Sequence, residues 1–372
     1  MSPLNESQPA LMDTSTSLPG IALAPAAQAI AVAKPMSPNQ RAWARFKRNR
    51  LGYVSLWVFV SLLALSSVAE LIANDRPFIA RFNGAWFAPM VSNPPERALG
   101  GDFNTPTDWH DPFILETMAR PGNFALFTLI THSAGSLDQF AAAPDPAPPN
   151  ASNWLGTDEF GRDMLARLIY GFRISAWFGL ALTLAGVAMG VLAGAVQGYF
   201  GGRIDLATQR FIEIWNSVPE LYLLIIFASI FEPSILLLLV LLTLFGWVSL
   251  SDYVRAEFLR NRSLEFVKAA RALGLSNAQI IWRHMLPNSM TPVITFLPFR
   301  MSGAILALTS LDFLGLGVPS PTPSLGDLLR QGKENLDAWW ITAPTFAVLV
   351  LTLLLLTFIG DALRDAFDTR KS

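Results

Sequence analysis

The sequence predicts an all-α polytopic membrane protein with six transmembrane helices, and three observations support this fold class. Of the 372 residues, 52% are hydrophobic and 15% are charged, and the mean hydropathy is +0.40. Soluble domains carry about 25% charged residues, so this chain is short of water-exposed polar surface. Several apolar runs approach the roughly 20 residues that a helix needs to cross the hydrocarbon core. Basic residues concentrate in alternate connecting segments, as the positive-inside rule requires.

The first predicted span follows a basic anchor. Residues 1–40 are rich in Ala, Pro and Ser and carry little charge, which predicts a disordered cytoplasmic tail. Segment 41–73 holds the anchor and the apolar run 52–73, which is the first transmembrane helix. The cations that keep this end of the span in the cytoplasm are Arg41, Arg45, Lys47, Arg48 and Arg50.

Residues 74–173 are predicted to form an external loop. Its first part, 74–155, has no long apolar run and is rich in Pro, Gly, Asn and Asp, so we expect irregular structure. Its second part, 155–173, has helical amphipathic spacing and is expected to lie on the membrane surface before the second span. Asp158, Arg162 and Asp163 are interpreted as local pairs at the start of a surface helix.

The segment 174–363 is predicted to be a core of five further transmembrane helices. They are expected at about 174–198, 211–231, 234–252, 291–312 and 343–362. Pro219 is expected to bend the second of these. The polar loop 253–290 and the tail 364–372 then lie on the cytoplasmic side, as do both termini.

Composition excludes several classes of function. A net charge of −1 does not suit a nucleic-acid-binding protein. The chain has no Cys and its three His lack the spacing of a metal site, so neither a metal nor another cofactor is predicted. The sequence shows no group of a nucleophile and a base of the kind that forms an enzyme active site. The phosphate-binding pattern G-x4-G-K-[ST] is missing, and Gly332-Lys333-Glu334 lacks its hydroxyl and glycine spacing, so ATP hydrolysis is not expected.

The stretch 263–292, SLEFVKAARALGLSNAQIIWRHMLPNSMTP, is a polar segment between two very apolar ones. It predicts two short helices, with Gly274 as the C-cap of the first and Ser276 as the N-cap of the second. Pro287 is expected to end the second helix and start the return into the bilayer. Two interpretations stay open: a plain surface hairpin, or a compact knob that docks against another protein.

The motif in this stretch resembles the E-A-A-x3-G-x9-I-x-L-P pattern of ABC-importer permeases. The matching residues are Lys268, Ala269, Ala270, Gly274, Leu286 and Pro287. Two positions depart from the pattern: Lys268 stands where the family favours Glu, and His284 where it favours Ile. The reversed charge at Lys268 puts any ionic contact of the family at that position in doubt.

Four further stretches resemble the C-type permease of the dipeptide and oligopeptide branch: LGTDEFGRDMLARLIYGFRIS, GYFGGRIDLATQR, FLGLGVPSPTPSLGDLL and GDALRDAFD. The resemblance covers about 41–73 and 154–368. The loop that contains RPFIARFNGAWFAPMV and GGDFNTPTDWHDP resembles a narrower subgroup, which includes importers of the peptide-nucleotide antibiotic microcin C and of other oligopeptides.

The resemblance implies a type I importer permease fold in a bacterial inner membrane, surrounded by lipid. It implies a second permease subunit, one or two cytoplasmic ATP-binding subunits and a periplasmic peptide-binding protein as partners, with no nucleic acid. The six motif residues would contact the ATPase, which would do the catalysis that this chain lacks. A nickel or other small-solute permease remains an alternative, because selectivity lies largely with the binding protein.

Two charged residues in the fifth predicted span need separate interpretation. Arg300 lies well inside the span, where a charge is costly unless it faces water or a partner. It is either a pathway-lining cation for a peptide carboxylate or the donor of an interhelical bond. Asp312 near the outer end is interpreted as a cap. A self-sufficient secondary transporter or channel is a further alternative, but it would need an internal repeat and paired ionisable residues that the sequence does not show.

Overall fold

The computed structural model describes residues 37–137 and 144–368. Most of the predicted tail, residues 1–36, lies outside this range, as do residues 369–372. The helices of the described part are α1 Pro38–Arg48, α2 Arg50–Ser67, α3 Pro112–Ala119, α4 Met164–Phe200, α5 Gly202–Asn216, α6 Glu220–Ile230, α7 Ile235–Gly246, α8 Val248–Asn261, α9 Glu265–Ala272, α10 Asn277–Gln279, α11 Leu286–Phe313, α12 Leu325–Glu334 and α13 Trp339–Phe367. The strands are β1 Ile79–Phe82, β2 Ala85–Phe87 and β3 Phe124–Leu126.

The predicted helical membrane fold is confirmed. Within the described residues, five helical stretches are long and apolar enough to cross a membrane: α2, α4, α7 with α8, 277–313, and α13. The pair α5 and α6 adds a sixth if it counts as one span. The pair is bent by 64° between residues 216 and 220, where Pro219 was expected to bend the span.

Helix α1 begins earlier than the composition of the N-terminal segment suggested. The Ser37 side chain accepts a hydrogen bond from the Gln40 N–H, and the Gln40 side chain accepts one from the Ser37 N–H. This reciprocal capping box starts the helix at Pro38, a residue type that suits the first helical turn. Residues 37–40 therefore belong to the basic anchor and not to a disordered tail.

The amphipathic helix expected before the second span is continuous with the helix of that span. α4 runs for 37 residues from Met164, with the Asp163 carboxylate as its N-cap accepting from the Ala166 N–H at 2.7 Å. The polar side of this segment is not on the surface: Asp158, Arg162 and Arg167 are at most 3% exposed. The Asp158 carboxylate pairs with both guanidiniums, which lowers the cost of burying these charges.

The buried charges join the start of α4 to α12. The Asp158 carboxylate accepts from Arg162 Nε at 2.8 Å and lies 3.2 Å from Arg167 Nε. Arg167 Nη2 also lies 3.5 Å from Asp327 on α12. The interpretation as local surface pairs is therefore right for Asp158 with Arg162 and wrong about exposure, because the network reaches across to a helix more than 150 residues away in the chain.

Glycines allow α4 and α8 to pack at very short range. A Cβ at Gly190, Gly194 or Gly198 would lie 2.9, 2.4 and 2.4 Å from atoms of the stretch 247–258. Gln197 adds a buried hydrogen bond to the Ser251 hydroxyl at 2.8 Å. Small residues at a four-residue spacing are the usual basis of close helix pairs in membranes. The two helices therefore form one tightly fitted pair.

The segment 74–155, predicted to be an external loop, contains regular structure where irregular structure was expected. β1 pairs antiparallel with β2 and with β3, in the order β2-β1-β3. One face of this sheet covers a small core around Trp109, which is 1% exposed and donates from Nε1 to Asn93 at 2.8 Å. Strands of three or four residues are too short to show the alternation that identifies a strand in a sequence.

The cap predicted at Asp312 is confirmed. Its carboxylate accepts a hydrogen bond from the Val318 N–H at 2.7 Å and another from the Ser324 hydroxyl. Asp312 is 4% exposed, and both partners belong to the loop between α11 and α12. The residue thus fixes the loop at the end of α11.

Candidate functional site

The hairpin, residues 263–287, begins with a helix that ends in a Schellman motif. The Leu275 N–H donates to the Ala270 carbonyl at 3.2 Å, and the Gly274 N–H donates to the Arg271 carbonyl at 3.0 Å. These two bonds require a left-handed residue at Gly274, whose φ is +79°. The predicted C-cap is therefore confirmed. Apart from its own chain neighbours, no atom of the described residues lies within 4 Å of the place where a Cβ would be at Gly274.

The second half of the hairpin also starts as predicted. The Ser276 hydroxyl accepts from the Gln279 N–H, and the Gln279 side chain accepts from the Ser276 N–H at 2.9 Å. The end of this half differs from the prediction. Pro287 does not terminate a helix, because the chain passes through a π-helical turn, Ile280–Met285, straight into α11.

The π-helical turn explains how helix continues past Pro287. The Leu286 N–H donates to the Ile281 carbonyl, five residues back instead of four. In a regular α-helix the proline ring would clash with the carbonyl four residues before it. The wider turn just ahead of Pro287 gives the ring room, and the hairpin is joined to α11 without a loop.

One side of the hairpin is packed into the protein. Val267, Ala270, Ile280 and Met285 are at most 5% exposed. They belong to one apolar cluster with residues of α4, α8 and α11: Val191, Ala195, Tyr199, Leu250, Val254, Phe258 and Val293. Movement of the hairpin must therefore be transmitted to these three helices, because close-packed interiors transmit strain.

The other side of the hairpin is exposed and carries large apolar side chains among charged ones. Leu273 is 82% exposed and Trp282 is 55% exposed. Lys268 lies on the surface and forms an ion pair with Glu265 at 2.9 Å, so its charge already has a partner within α9. Of the remaining motif residues, Ala269, Gly274 and Pro287 are exposed, Leu286 is half-buried and Ala270 is buried.

Arg300 makes the interhelical bonds that were one of its two predicted roles, and its role as a pathway cation stays a prediction. Its guanidinium donates to the Ser249 hydroxyl at 2.6 Å and to the Gly246 carbonyl, so it bonds α11 to the α7–α8 stretch. It also lines a cavity of about 490 Å³ between α4, α6, α7, α8 and α11. Arg300 and the hairpin thus occupy different parts of the chain, and α8 and α11 connect them.

Sequence reasoning missed two further polar residues of this cavity, Thr183 and Glu220. Thr183 lies in an apolar span and has no distinctive neighbours in the sequence. Glu220 follows Pro219, and this proline did attract attention as a helix breaker. A proline that breaks a predicted span, followed directly by a carboxylate, was the one signal that could have identified Glu220 as a site residue.

The comparisons with known proteins define the class of this chain. Residues 186–372 match the family described as binding-protein-dependent transport system inner membrane component. Residues 37–106 match the N-terminal transmembrane domain of oligopeptide transport permease C. The chain therefore belongs to the family of inner membrane components of binding-protein-dependent transport systems.

Individual relatives are similar over nearly their whole length. The inner membrane ABC transporter permease protein YejE of Escherichia coli K12 is 50% identical, over 91% of this chain and 99% of that protein. The peptidoglycan transport system permease protein YejE of Agrobacterium fabrum C58 is 47% identical, over 91% and 96%. The dipeptide transport system permease protein DppC of Lactococcus lactis is 32% identical, over 92% and 93%.

These matches make the chain a multi-pass ABC importer permease of the peptide transport family. The resemblance to the dipeptide and oligopeptide branch is thereby confirmed. The three relatives are all named as permease proteins.

Proposed function

We propose that this chain forms half of the translocation pathway of an ATP-driven importer of peptides and that separate ATPase subunits move it through the hairpin. The observation that carries the proposal is the construction of the hairpin. One side packs into α4, α8 and α11, and the other presents Leu273 and Trp282 to solvent. Apolar side chains at a protruding position are typical of a protein interface.

The proposed coupling follows from the connections of the hairpin. When ATP closes the ATPase pair, the docked hairpin moves with it, and α8 and α11 turn because they share its apolar cluster. The motif residues that would make or support the ATPase contact are Lys268, Ala269, Ala270, Gly274, Leu286 and Pro287. For this to drive transport, the ATPases must bind the two states of the permease with different affinity.

The proposed arrangement places the hairpin, α1 and both termini in the cytoplasm, and the sheet outside. Five cations in 41–50 and six in 253–290 support this orientation through the positive-inside rule. The partners in this arrangement are a second permease subunit, one or two ATP-binding subunits and an external binding protein. Arg300 marks the pathway, because its cavity lies among the helices that the hairpin moves.

Peptides are the proposed substrate class. The N-terminal match is to an oligopeptide permease domain, and the DppC relative is named for dipeptide transport. The Agrobacterium relative is named for peptidoglycan transport. Peptide-bearing cell-wall fragments and microcin C, a peptide-nucleotide conjugate, are therefore narrower candidates to compare with simple oligopeptides.

The test begins with purification of the tagged protein in mild detergent. We expect a second polytopic subunit and a nucleotide-binding protein to co-purify. Reconstituted with the binding protein, the complex should take up labelled peptides when ATP is supplied on the hairpin side. Nickel uptake without peptide uptake would favour the small-solute alternative, and a lone homo-oligomer that transports without ATP would favour a channel or secondary transporter.

The orientation can be checked independently with single cysteines, since the chain has none. A cysteine at exposed Leu273 should react with an impermeant maleimide only from the cytoplasmic side. A cysteine at exposed Val91 of the external segment serves as the opposite control. Reaction of the Leu273 cysteine from outside alone would exclude the coupling role.

A further inference from the structure

The cavity beside Arg300 has the composition of a binding site. Its volume of about 490 Å³ lies within the range of small-molecule sites, roughly 300–1,000 Å³. Most of its wall is apolar or aromatic, including Phe296 and Phe299. A few polar groups face it from different helices, among them Thr183 on α4, Glu220 on α6 and Arg300 on α11. A mostly apolar wall with a few converging polar groups is the general pattern of a ligand pocket.

Thr183 is a buried polar group without a partner. It is 4% exposed, and its hydroxyl makes no hydrogen bond within the described residues. Other buried threonines of these helices, such as Thr309 and Thr345, bond to the carbonyl four residues before them, at 2.9 and 2.6 Å. An unpaired buried hydroxyl is costly, so a group that binds in the cavity and pairs with it would gain stability.

Arg300 is held in place by two hydrogen bonds and keeps further N–H donors for a ligand. A guanidinium has five N–H donors, and Arg300 gives two hydrogen bonds, to Ser249 and Gly246. No carboxylate of the described residues lies within 4.0 Å of it. Its positive charge therefore remains available to an anionic group that enters the cavity.

Glu220 is the opposite charge in the same cavity. It is the first residue of α6, directly after the bend at Pro219, and within the described residues its side chain has neither a hydrogen bond nor an ion pair. Arg300 and Glu220 are not bonded to each other, although both line the cavity. The site therefore offers a cation and an anion whose charged atoms are more than 4.0 Å apart.

We propose that this cavity is the substrate site of the permease and that it recognises short peptides through both free termini. Arg300 binds the terminal carboxylate, Glu220 binds the terminal ammonium, and the Thr183 hydroxyl pairs with a peptide group between them. This assignment rests on the proposed function, peptide import. The apolar and aromatic wall accepts side chains of varied shape, because burial of apolar surface is non-directional.

The proposed ligand length follows from the separation of the two charges, which do not form an ion pair. An extended chain advances about 3.3–3.6 Å per residue, so the ends of a dipeptide or tripeptide are roughly 7–11 Å apart. A ligand of this length can bridge two charges that are more than 4.0 Å apart, as Arg300 and Glu220 are. The site thus distinguishes a peptide with two free ends from one that is blocked at either end.

The test compares uptake of three versions of one tripeptide by the complete complex in proteoliposomes: free ends, amidated carboxyl end and acetylated amino end. Arg300→Gln should reduce the preference for the free over the amidated peptide by about tenfold or more and leave the preference against acetylation. Glu220→Gln should reduce the preference for the free over the acetylated peptide and leave the preference against amidation. Each variant is compared with wild type, so the preference of the binding protein cancels.

The matched control is Glu232→Gln, which removes a carboxylate near the other end of α6, outside the cavity. In this variant the uptake ratio of free to amidated peptide and that of free to acetylated peptide should both stay at the wild-type value. If Arg300→Gln does not accumulate in the membrane, the proposal is tested by Glu220→Gln and by Gly303→Leu. Gly303 lines the cavity and a Cβ there meets no atom within 4 Å, so a leucine should fill the site and reduce uptake of all three peptides.

The outcomes separate the two proposals. Unchanged ratios in Arg300→Gln and Glu220→Gln, or an equal loss for all three peptides in both, would overturn this site while peptide import stands. A wild-type complex that transports none of the peptides would overturn the proposed function and this inference with it.

Discussion

The substitution Gly274→Val changes the hairpin through its backbone alone. Nothing lies within 4 Å of a Cβ at this position, so the new side chain meets open space within the chain. The strain comes from φ, which is +79°. A residue with L chirality in the left-handed region loses about 1–2 kcal/mol, and a β-branched residue such as Val is a clear outlier there. Because about 1.4 kcal/mol is a factor of ten, the Schellman geometry should become roughly 5- to 30-fold less populated.

Gly274→Asn is the matched variant, since Asn also adds a Cβ but visits the left-handed region routinely. We expect Gly274→Val to insert normally, to lose uptake several-fold and to leave ATPase activity without stimulation by peptide. Gly274→Asn should remain near wild type in both assays. Membrane levels are measured by quantitative immunoblotting, and uptake and ATP hydrolysis in the same proteoliposomes.

Two results would contradict this reasoning. If Val and Asn impair uptake equally, the added atoms obstruct a partner and the backbone strain is irrelevant. If neither variant changes the response of the ATPase at normal membrane levels, the C-cap of α9 does not take part in coupling.

Three further predictions follow from burial and packing. Ala270→Asp places an unpaired carboxylate at a site that is 5% exposed, so the hairpin should detach and ATPase activity should lose its dependence on peptide, while the spans still insert. Gly194→Ala would put a Cβ 2.4 Å from a backbone oxygen of α8, so the unfolding temperature in detergent should fall; Gly303→Ala, in open space, should leave it unchanged. Asp158→Asn removes the acceptor of two buried guanidiniums and should destabilise the fold by about 3–5 kcal/mol, whereas Glu334→Gln, at an exposed pair, should change thermal stability little.

Much of the architecture could be predicted because its causes are local. The length of the apolar runs predicted the spans, and Pro219 predicted the bend. The Gly274 and Ser276 caps were visible because each residue type satisfies a specific backbone need within four positions. Prediction failed at Pro287, because the π-helical turn before it shifts the hydrogen bonding by one residue and has no marker in the sequence.

Features that depend on distant contacts could not be predicted. The burial of Arg167 depends on Asp327, which approaches from α12. The cavity groups Thr183 and Glu220 meet Arg300 only after three spans have packed together. The sheet of β1, β2 and β3 depends on pairing between residues about 45 positions apart, such as Ile79 with Leu126.

The close fit of α4 against α8 restricts where this protein can bend. The backbones of the two helices almost touch at Gly190, Gly194 and Gly198. One helix cannot slide or tilt against the other without a collision, so the pair moves as one rigid body. A change of shape can then be absorbed at non-helical breaks outside the pair, and 217–219 and 231–234, which border α6, are two of these. Glu220 stands at the first of these breaks, and a change of shape would therefore alter how far the carboxylate stands from the rest of its cavity.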